Sequence, residues 1–380
     1  MARKTREDKN QAHVPSTVAD PEAFARSMKD IEKKYGTGAV MMLGQQPTDF
    51  PHYPTGILSL DEAIGIGGLP KGRIVEIYGP ESAGKTMISL QCIAAAQKKG
   101  YTCGFIDAEN ALNVNFAKKI GVQVEDLVFC QPSSGEMALD ILYTWAMTGQ
   151  FQLIVIDSVA ALTPQAEIDG EMGDLQVGAQ ARMMSKAMRK CAPVLNQMGC
   201  TAIFINQLRD KIGVVYGNPE TTPGGKALKF YASLRLDVRK VETMKKGTES
   251  VGNRIKVTVR KNKVAPPFRQ AMFDLMFDTG VSREGQILAK ATDYELIRKS
   301  GSWYSYNGEK IGQGQDNARQ WLIEHPDITD QLEQAVYERM GITDDSDIDQ
   351  HLSAEDADMD NQDIDELGLS EQDLHELGLD

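Results

Sequence analysis

Apolar runs alternate with amphipathic stretches through the middle of the chain. The runs with strand character are Arg73–Tyr78, Thr102–Asp107, Leu127–Cys130, Gln152–Asp157 and Thr201–Asn206. Stretches with helical spacing fall between them, at Lys85–Gln97, Ala111–Ile120, Glu136–Met147 and Val177–Met198. Near-continuous apolar strands separated by helices are typical of a parallel sheet covered on both faces. The pattern therefore predicts an α/β core with a mainly parallel central sheet.

A second group of strands follows this core. Ser233–Val241, Arg254–Lys261 and Gln270–Phe277 alternate more strictly between apolar and polar positions. This alternation predicts a hairpin or meander that extends the sheet.

Two further segments flank the core. Asp20 and Pro21 read as the N-cap and first turn of an amphipathic helix. This helix either packs on its own domain or forms an arm on a neighbouring subunit. An aromatic-containing stretch after residue 283 predicts a small C-terminal α/β domain. We expect an N-terminal arm at 1–36, a core at 37–282, the small domain at 283–343 and a tail at 344–380.

Charge is distributed unevenly along the chain. The formal net charge is −13, which taken alone argues against a nucleic-acid binder. However, no Lys or Arg follows Arg339, and residues 344–380 hold 15 Asp and Glu. The remaining body carries 39 acidic and 41 basic residues, a net charge of +2. The tail is therefore a separate acidic segment that we expect to be mostly disordered.

Composition limits the location of the protein. No apolar run approaches the ~20 residues that a membrane span needs, and the polar first residues predict no signal peptide. The five cysteines contain no C-x-x-C pair, which argues against a zinc site and suits a reducing compartment. We expect a cytoplasmic protein with no membrane partner.

A phosphate-binding motif lies between the first strand and the first helix of the core. Residues 79–86 match G-x-x-x-x-G-K-[ST], namely Gly79, Pro80, Glu81, Ser82, Ala83, Gly84, Lys85 and Thr86. Glycines let backbone N–H groups approach phosphate, and the helix N-terminus favours anions. Lys85 can neutralise the β- and γ-phosphates, and the Thr86 hydroxyl can hold Mg²⁺. The motif predicts an ATP site.

Three more polar residues follow the ends of core strands. Asp157 ends Gln152–Asp157 and is expected to assist Mg²⁺. Glu109 follows Thr102–Asp107 and is the preferred group to polarise the attacking water, in competition with Asp107, which we expect to be more buried. Gln207 follows Thr201–Asn206 and could sense the γ-phosphate.

The long helix Val177–Met198 carries a basic face. Arg182, Lys186, Arg189 and Lys190 share that face, beside an apolar face of Met184, Met188, Cys191 and Leu195. Such a face is often only solvated. The segment from Gln207 to Gly225 favours nucleic acid, since it combines Arg209 and Lys211 with glycines and wedge-like apolar residues such as Ile212.

A further basic cluster spans residues 260–263. Solubility alone would explain it. The alternative is that Lys261 and Lys263 reach the nucleotide of an adjacent subunit, as arginine fingers do.

Together these motifs identify a family resemblance. The chain resembles the bacterial RecA recombinase family, including its phage-encoded members, over residues 20 to 340. The shared runs are residues 79–86, 105–109, 155–164, 204–207, 217–222, 227–233, 261–263, 303–306 and 311–314.

The resemblance implies a RecA-like P-loop ATPase. Such a protein forms a helical homo-oligomeric filament on single-stranded DNA, the primary site, and exchanges strands with homologous double-stranded DNA at a secondary site. Its cofactors would be ATP and Mg²⁺, with ATP between subunits, and it would act in recombination and DNA repair. Repressors and loader or mediator proteins are possible further partners.

The resemblance also implies roles for single residues. Glu109 would be the base, Gln207 would couple the γ-phosphate to the DNA loop, Lys261 and Lys263 would act in trans, and Phe230 would lie in the subunit interface. The first DNA loop would be Asp169–Val177 and the second Gln207–Gly225. The implied DNA contacts are Val177, Arg182, Ser185, Arg189, Ile212, Gly224 and Gly225.

Five positions depart from the family pattern. Ala83 replaces a serine of the P-loop, Phe116 replaces the tyrosine that stacks on adenine, and Asn113 replaces the acid that reads the adenine amino group. Pro223 stiffens the end of the second DNA loop, and Thr258 replaces a basic residue linked to duplex binding.

Two other functions and one regulatory role remain open. A ring helicase with this core would unwind duplexes without homologous pairing, and an ATP-gated coating protein would only shield single strands. The acidic tail either competes with DNA for the basic surfaces of the body or serves solubility and partner docking.

Overall fold

The computed structural model describes residues 20–35, 40, 50–171, 176, 178–210 and 220–342. Val177, Lys211, Ile212 and the acidic tail of residues 344–380 lie outside the described residues. The chain divides into two compact units, residues 1–50 and residues 51–380. The first contains helix α1 (Pro21–Tyr35). Asp20 Oδ1 accepts a hydrogen bond of 2.9 Å from the Ala23 N–H, which confirms the N-cap predicted for this helix.

The second unit opens with short elements and continues as an alternation of strands and helices. Its first elements are β1 (His52–Tyr53), α2 (Leu58–Ile64), β2 (Leu69–Pro70), β3 (Ile74–Gly79), α3 (Lys85–Lys98), β4 (Cys103–Asp107), α4 (Val114–Ile120), β5 (Leu127–Cys130), α5 (Gly135–Met147), β6 (Leu153–Asp157), α6 (Gln165–Ile168), α7 (Ala179–Gln197) and β7 (Thr201–Gln207). The predicted alternation is therefore confirmed, with most element ends within two residues.

The remaining elements complete the sheet and build the small C-terminal part. They are β8 (Arg209–Asp210), β9 (Glu220–Thr221), α8 (Ala227–Tyr231), β10 (Leu234–Lys246), β11 (Glu249–Asn262), β12 (Gln270–Met276), β13 (Gly280–Val281), α9 (Arg283–Asp293), β14 (Arg298–Ser300), β15 (Trp303–Tyr306), β16 (Glu309–Gln313), α10 (Gln315–Glu324) and α11 (Pro326–Met340). β10 and β11 run longer than predicted because they form one extended hairpin.

Nine strands form the central sheet in the order β13-β12-β11-β10-β3-β7-β6-β4-β5. The pairs from β10 through β3 to β5 are parallel. The pairs from β10 to β13 are antiparallel, which confirms the predicted meander. One strand, β7, separates β3 from β6, so the strands that end in Gly79 and Asp157 flank the strand that ends in Gln207.

Apolar side chains cover both faces of this sheet. In β6, Val155 belongs to one buried cluster with Ile88 of α3. Ile154 and Ile156 of the same strand belong to a second cluster, with α5 and α7. Successive strand residues point to opposite faces, so a strand buried on both sides has an almost continuous apolar sequence.

The C-terminal elements pack around a third buried cluster. Its members include Ile287, Tyr304, Leu322 and Val336, together with Leu58 of α2. Tyr294 Oη donates to Glu62 Oε1 across 2.7 Å, and Lys290 also pairs with Glu62. Helix α2 of the core thus contacts α9 directly.

No helix among the described residues is long and apolar enough to cross a membrane.

Candidate nucleotide and nucleic-acid site

The phosphate-binding loop joins the carboxyl end of β3 to α3. A Cβ on Gly79 would lie 2.2 Å from the Val238 carbonyl oxygen, so no larger residue fits there. Gly84 has a φ of +95° and is the N-cap of α3, a conformation that favours glycine. The first N–H groups of α3 therefore face the loop, where an anion would complete their hydrogen bonding.

Lys85 lies at the start of α3 and points back into the loop. Its Nζ donates to the Pro80 carbonyl oxygen across 2.7 Å, and its side chain is buried. Burial lowers the pKa of Lys85, while the carboxylates of Asp157, Glu109 and Glu81 act in the opposite direction. The ammonium group is thus held where a polyphosphate would pass.

Thr86 and Asp157 meet across the sheet edge. The Thr86 hydroxyl donates to Asp157 Oδ2 across 2.6 Å. Burial raises the pKa of Asp157 to about 6, and the nearby Glu109 and Asp107 carboxylates act in the same direction, against the Thr86 hydrogen bond and Lys85. A bound cation would favour the ionised carboxylate and relieve this unfavourable charge cluster.

These groups fit a magnesium ion that is shared with phosphate. Hydroxyl and carboxylate oxygens are the hard ligands that Mg²⁺ takes, usually with one or two carboxylates and the substrate phosphates. Across the described ranges, no group of three or more His, Cys, Asp and Glu forms an all-protein metal site. A cation here would need the phosphates as further ligands.

Glu109 accepts hydrogen bonds from two neighbouring strand ends. Gln207 Nε2 donates to Glu109 Oε1 across 3.0 Å, and the Ser158 hydroxyl donates to the same oxygen. The backbone N–H of Glu109 also donates to the Asp157 carbonyl oxygen across 3.1 Å. Three strand ends, of β4, β6 and β7, thereby fix one exposed carboxylate.

Asp107 has a different environment from Glu109. It is 2% exposed, which confirms the expectation that it is the more buried acid. Its oxygens accept from the N–H groups of Ala111, at 3.3 Å, and Leu112, at 3.1 Å. These bonds also explain why α4 begins at Val114, later than predicted, with Asn113 as its N-cap.

The predicted base-contact residues lie at the start of α4. Asn113 Oδ1 accepts from the Phe116 N–H across 3.0 Å, so this side chain caps the helix. Phe116 is half-buried against the core cluster around Ile93.

The stem of the second loop starts at the same sheet edge. Arg209 of β8 pairs with Thr221 of β9, and residues 211–219 between them are outside the described part. Asn206 Nδ2 donates to the Pro223 carbonyl oxygen across 3.2 Å. Asn206 thereby connects β7 to the far end of the loop.

Gly224 and Gly225 lie against the start of α7. A Cβ on Gly224 would come within 2.8 Å of Val159, and one on Gly225 within 2.8 Å of Ala181. The Gly224 N–H donates to Gln180 Oε1 across 3.2 Å. These contacts give both glycines a packing role in addition to their predicted DNA contacts.

Helix α7 presents the predicted faces. Arg182 and Arg189 are exposed and Ser185 is half-buried, while Met184, Met188, Cys191 and Leu195 are buried. The Lys190 Nζ lies 4.0 Å from the centre of the Tyr143 ring on α5.

Lys261, Lys263 and Phe230 lie close together beside α8, where Lys263 Nζ donates to the Phe230 carbonyl oxygen across 3.4 Å. Lys261 Nζ donates to the carbonyl oxygens of Lys229, at 2.7 Å, and Phe230, at 2.9 Å. Lys261 pairs with Arg235 in the sheet, and Arg235 pairs with Glu76, three residues before Gly79. Phe230 is 69% exposed and lines a pocket of about 350 Å³ with Tyr231 and Lys263.

Sequence reasoning did not single out several residues that organise this region. Ser158 and Asn206 each follow or end a core strand, a position that could have drawn attention to them. Gln180 carries no such signal, although its Nε2 donates to the Val159 carbonyl oxygen across 2.9 Å. Glu220, which forms an ion pair with Arg239, is the fourth residue of this group.

The fold and the site together define a P-loop NTPase of the α/β class. Its distinguishing feature is Glu109, which follows β4 on the far side of β6 from β7 and accepts a hydrogen bond from Gln207 at the end of β7. Family models match both parts of the chain: the RecA N-terminal domain over residues 22–282 and the RecA C-terminal domain over residues 285–341. The chain belongs to the RecA family.

Individual relatives agree with this assignment. The chain is 55% identical to Protein RecA of Cutibacterium acnes over 330 residues, which cover 87% of this chain and 95% of the relative. It is 53% identical to Protein RecA of Nocardia farcinica over 345 residues, 90% of this chain and 98% of the relative. The chain is thus an ATP-binding, DNA-dependent ATPase recombinase of recombination and DNA repair.

Proposed function

We propose that this protein hydrolyses ATP with Mg²⁺ as a filament on single-stranded DNA and uses that filament to exchange strands with a homologous duplex. The observation that carries the proposal is the 3.0 Å hydrogen bond from Gln207 Nε2 to Glu109 Oε1. It joins the carboxylate best placed for hydrolysis to the first residue of the DNA loop. Nucleotide state and DNA binding thereby share one contact.

The roles at the nucleotide follow from the positions of the donors. Gly79 and residues 81–84 would supply backbone N–H groups, Lys85 would neutralise phosphate charge, and Thr86 and Asp157 would hold Mg²⁺. Glu109 activates the attacking water as general base, oriented by Ser158 and Gln207. Asn113 and Phe116 would contact the base.

The primary DNA site would combine α7 with the stem of the second loop. Arg182, Ser185 and Arg189 would contact single-stranded DNA together with Arg209, Gly224 and Gly225. Val177, Lys211 and Ile212 remain predictions outside the described residues. The basic residues of β10 and β11, namely Arg239, Lys240 and Lys256, would receive the homologous duplex. Repressors and loader proteins would be further partners.

The subunit interface would use the exposed side of α8. Phe230 projects beside a pocket, and Lys261 and Lys263 donate to carbonyl oxygens of α8, beside the exposed Phe230, which supports action on the nucleotide of the next subunit. Residues 1–36 would form the arm of this filament, with 37–282 as core, 283–343 as small domain and 344–380 as tail. We place the protein in the cytoplasm, with the DNA on which it acts.

Strand exchange between homologous DNAs tests this function. We expect ATP hydrolysis that rises sharply with single-stranded DNA, and pairing that also proceeds with a slowly hydrolysed ATP analogue. Unwinding by a closed ring without pairing would instead indicate a helicase. Binding to single strands without exchange would indicate a coating protein.

A further inference from the structure

Glu220, the residue that directly follows the segment 211–219 of the second loop, forms an ion pair with Arg239 of β10. Glu220 accepts two hydrogen bonds from Arg239, of 2.7 Å from Nη1 and 2.6 Å from Nη2. This is the bidentate geometry in which arginine binds either a carboxylate or a phosphate. Glu220 belongs to β9, directly after the loop of residues 211–219, so the pair fixes where that loop ends.

A second carboxylate holds the other edge of the same guanidinium. Arg239 Nε donates to Asp237 Oδ1 across 2.6 Å, and Asp237 is 4% exposed. Because Asp237 also accepts from Arg260 Nε at 3.2 Å, it is anchored independently of Glu220. If Glu220 left, Arg239 would stay oriented and would present Nη1 and Nη2 to a new anion.

The local charges favour such an exchange. Arg239 lies opposite Lys256 in the antiparallel β10–β11 ladder, an arrangement of like charges that is unfavourable by itself. The Glu220 carboxylate offsets this repulsion, and its hydrogen bonds raise the pKa of Arg239 above its ordinary value. The Arg239–Glu220 pair is about 30% exposed on both sides, so a ligand from solvent can reach it.

We propose that Glu220 and Arg239 form a latch that ties the second DNA loop to the β10–β11 face, and that a DNA phosphate opens it by taking the place of Glu220 on Arg239. This inference rests on the proposed function, because it assumes that DNA approaches this face. It adds a coupling between two events, because DNA that binds Arg239 on β10 would release Glu220 at the C-terminal end of the loop. Glu220 is thus a positioning residue, and the phosphodiester group that displaces it would be the ligand of Arg239.

The test is a double-mutant cycle with a matched control. The variants are Glu220→Gln, Arg239→Gln and both together. The control is Glu242→Gln, which removes the same charge from β10, the strand that carries Arg239. Its partner Arg254 is also held by Asp274 at 2.8 Å. Affinities are measured on the full chain with Mg²⁺ and a slowly hydrolysed ATP analogue, against single-stranded and duplex oligonucleotides of one length over a range of salt concentrations.

In the wild type, DNA must break the Glu220–Arg239 ion pair before it binds Arg239, and this lowers its affinity. We expect Glu220→Gln to bind DNA about fivefold more tightly, the scale of one partly exposed ion pair. Arg239→Gln should lower the slope of log K against log salt by about 0.9 on duplex or about 0.7 on single strands. In the Arg239→Gln background, Glu220→Gln should give no further gain. Whether these effects appear with single-stranded or with duplex oligonucleotides identifies which DNA opens the latch.

Several results would overturn the proposal. An equal gain for Glu242→Gln, a gain that persists without Arg239, or an unchanged salt slope for Arg239→Gln would reduce Glu220 to a general surface charge. Amide hydrogen exchange tests separately whether the ion pair holds the end of the loop. Exchange in the β8–β9 ladder should be faster in Glu220→Gln than in Glu242→Gln, and equal rates would refute this part of the proposal. Wild-type strand exchange is measured in parallel, so failure of the proposed function is recognised separately.

Discussion

Gln207 Nε2 lies 3.0 Å from Glu109 Oε1, although 98 residues separate the two along the chain. The contact exists because β4 and β7 end at the same edge of a parallel sheet, on either side of β6. Gln207 is also the last residue of β7, and the stem of the second loop begins two residues later, at Arg209. One amide group therefore connects the candidate base to the candidate DNA-binding surface.

Shortening the side chain of Gln207 should uncouple ATP hydrolysis from DNA binding. In Gln207→Asn the donor retreats by one methylene and no longer reaches Glu109. We expect the ratio of ATPase rates with and without single-stranded DNA to fall towards one. Gln131→Asn is the matched control, because Gln131 also donates an amide to a strand-end carboxylate, Asp107, across 3.3 Å. A strong DNA dependence retained in Gln207→Asn would contradict the coupling.

Removing the proton acceptor should separate hydrolysis from binding. Glu109→Gln keeps the shape of the side chain but cannot take a proton, so kcat should fall by about 10²- to 10⁴-fold. ATP affinity, measured with a fluorescent analogue, should be largely retained, whereas Lys85→Ala should lose it. Glu125→Gln, at an exposed glutamate paired with Lys118, should hydrolyse ATP normally. Near-normal hydrolysis by Glu109→Gln would exclude Glu109 as the base and favour Asp107.

The parts of the fold that sequence predicted correctly have local causes. The runs that end in Asp107 and Asp157 are continuously apolar because both faces of the sheet are buried, and the P-loop is defined by eight consecutive residues. The contacts of Ser158, Asn206 and Glu220 could not be predicted in this way. Each joins segments whose proximity is set by strand order and loop path, and no periodicity along the chain encodes that.

The same distinction explains the helix starts that were predicted too early. The Asp107 carboxylate takes the N–H groups of Ala111 and Leu112, so α4 starts only after Asn113. Helix α7 starts at Ala179 because Gly178 has a φ of +73°. In both places a tertiary or backbone constraint overrides the apolar spacing.

The charge of Lys261 should make the ATPase activity depend on pH. Burial lowers its pKa to about 8, and the nearby charges of Lys263 and Arg235 act in the same direction against Glu76. A lysine loses its charge as pH rises through its pKa, so kcat/KM for ATP, which reports the free enzyme, should decline above about pH 8. Lys261→Arg stays charged and should flatten this decline.

The control for Lys261 is the same substitution at an exposed lysine. Lys240→Arg on β10 should leave the pH profile of the wild type unchanged. If the decline persists in Lys261→Arg, the group that titrates is another one, and action of Lys261 as a cation in trans loses its support from this experiment.

Asp61 should make the stability of the fold depend on pH. Its side chain is fully buried, and burial raises its pKa from 3.8 to about 7, although Oδ1 accepts hydrogen bonds from Thr55. Between these two values the native state binds more protons than the unfolded state, so the stability that this group contributes at low pH is lost as pH rises to about 7. Asp61→Asn, which keeps the Oδ1 acceptor and has no charge, should lack that loss.

Urea unfolding at pH 5 and pH 8 measures the difference. Going from pH 5 to pH 8, the wild type should lose more free energy of unfolding than Asp61→Asn, by an amount on the order of a few kcal/mol. Asp126→Asn, at an exposed aspartate, should follow the wild type at both pH values. Parallel losses in the wild type and Asp61→Asn would mean that Asp61 is ionised in the native state, held by Thr55 and by the charge of Lys99, and that its burial costs less than its surroundings imply.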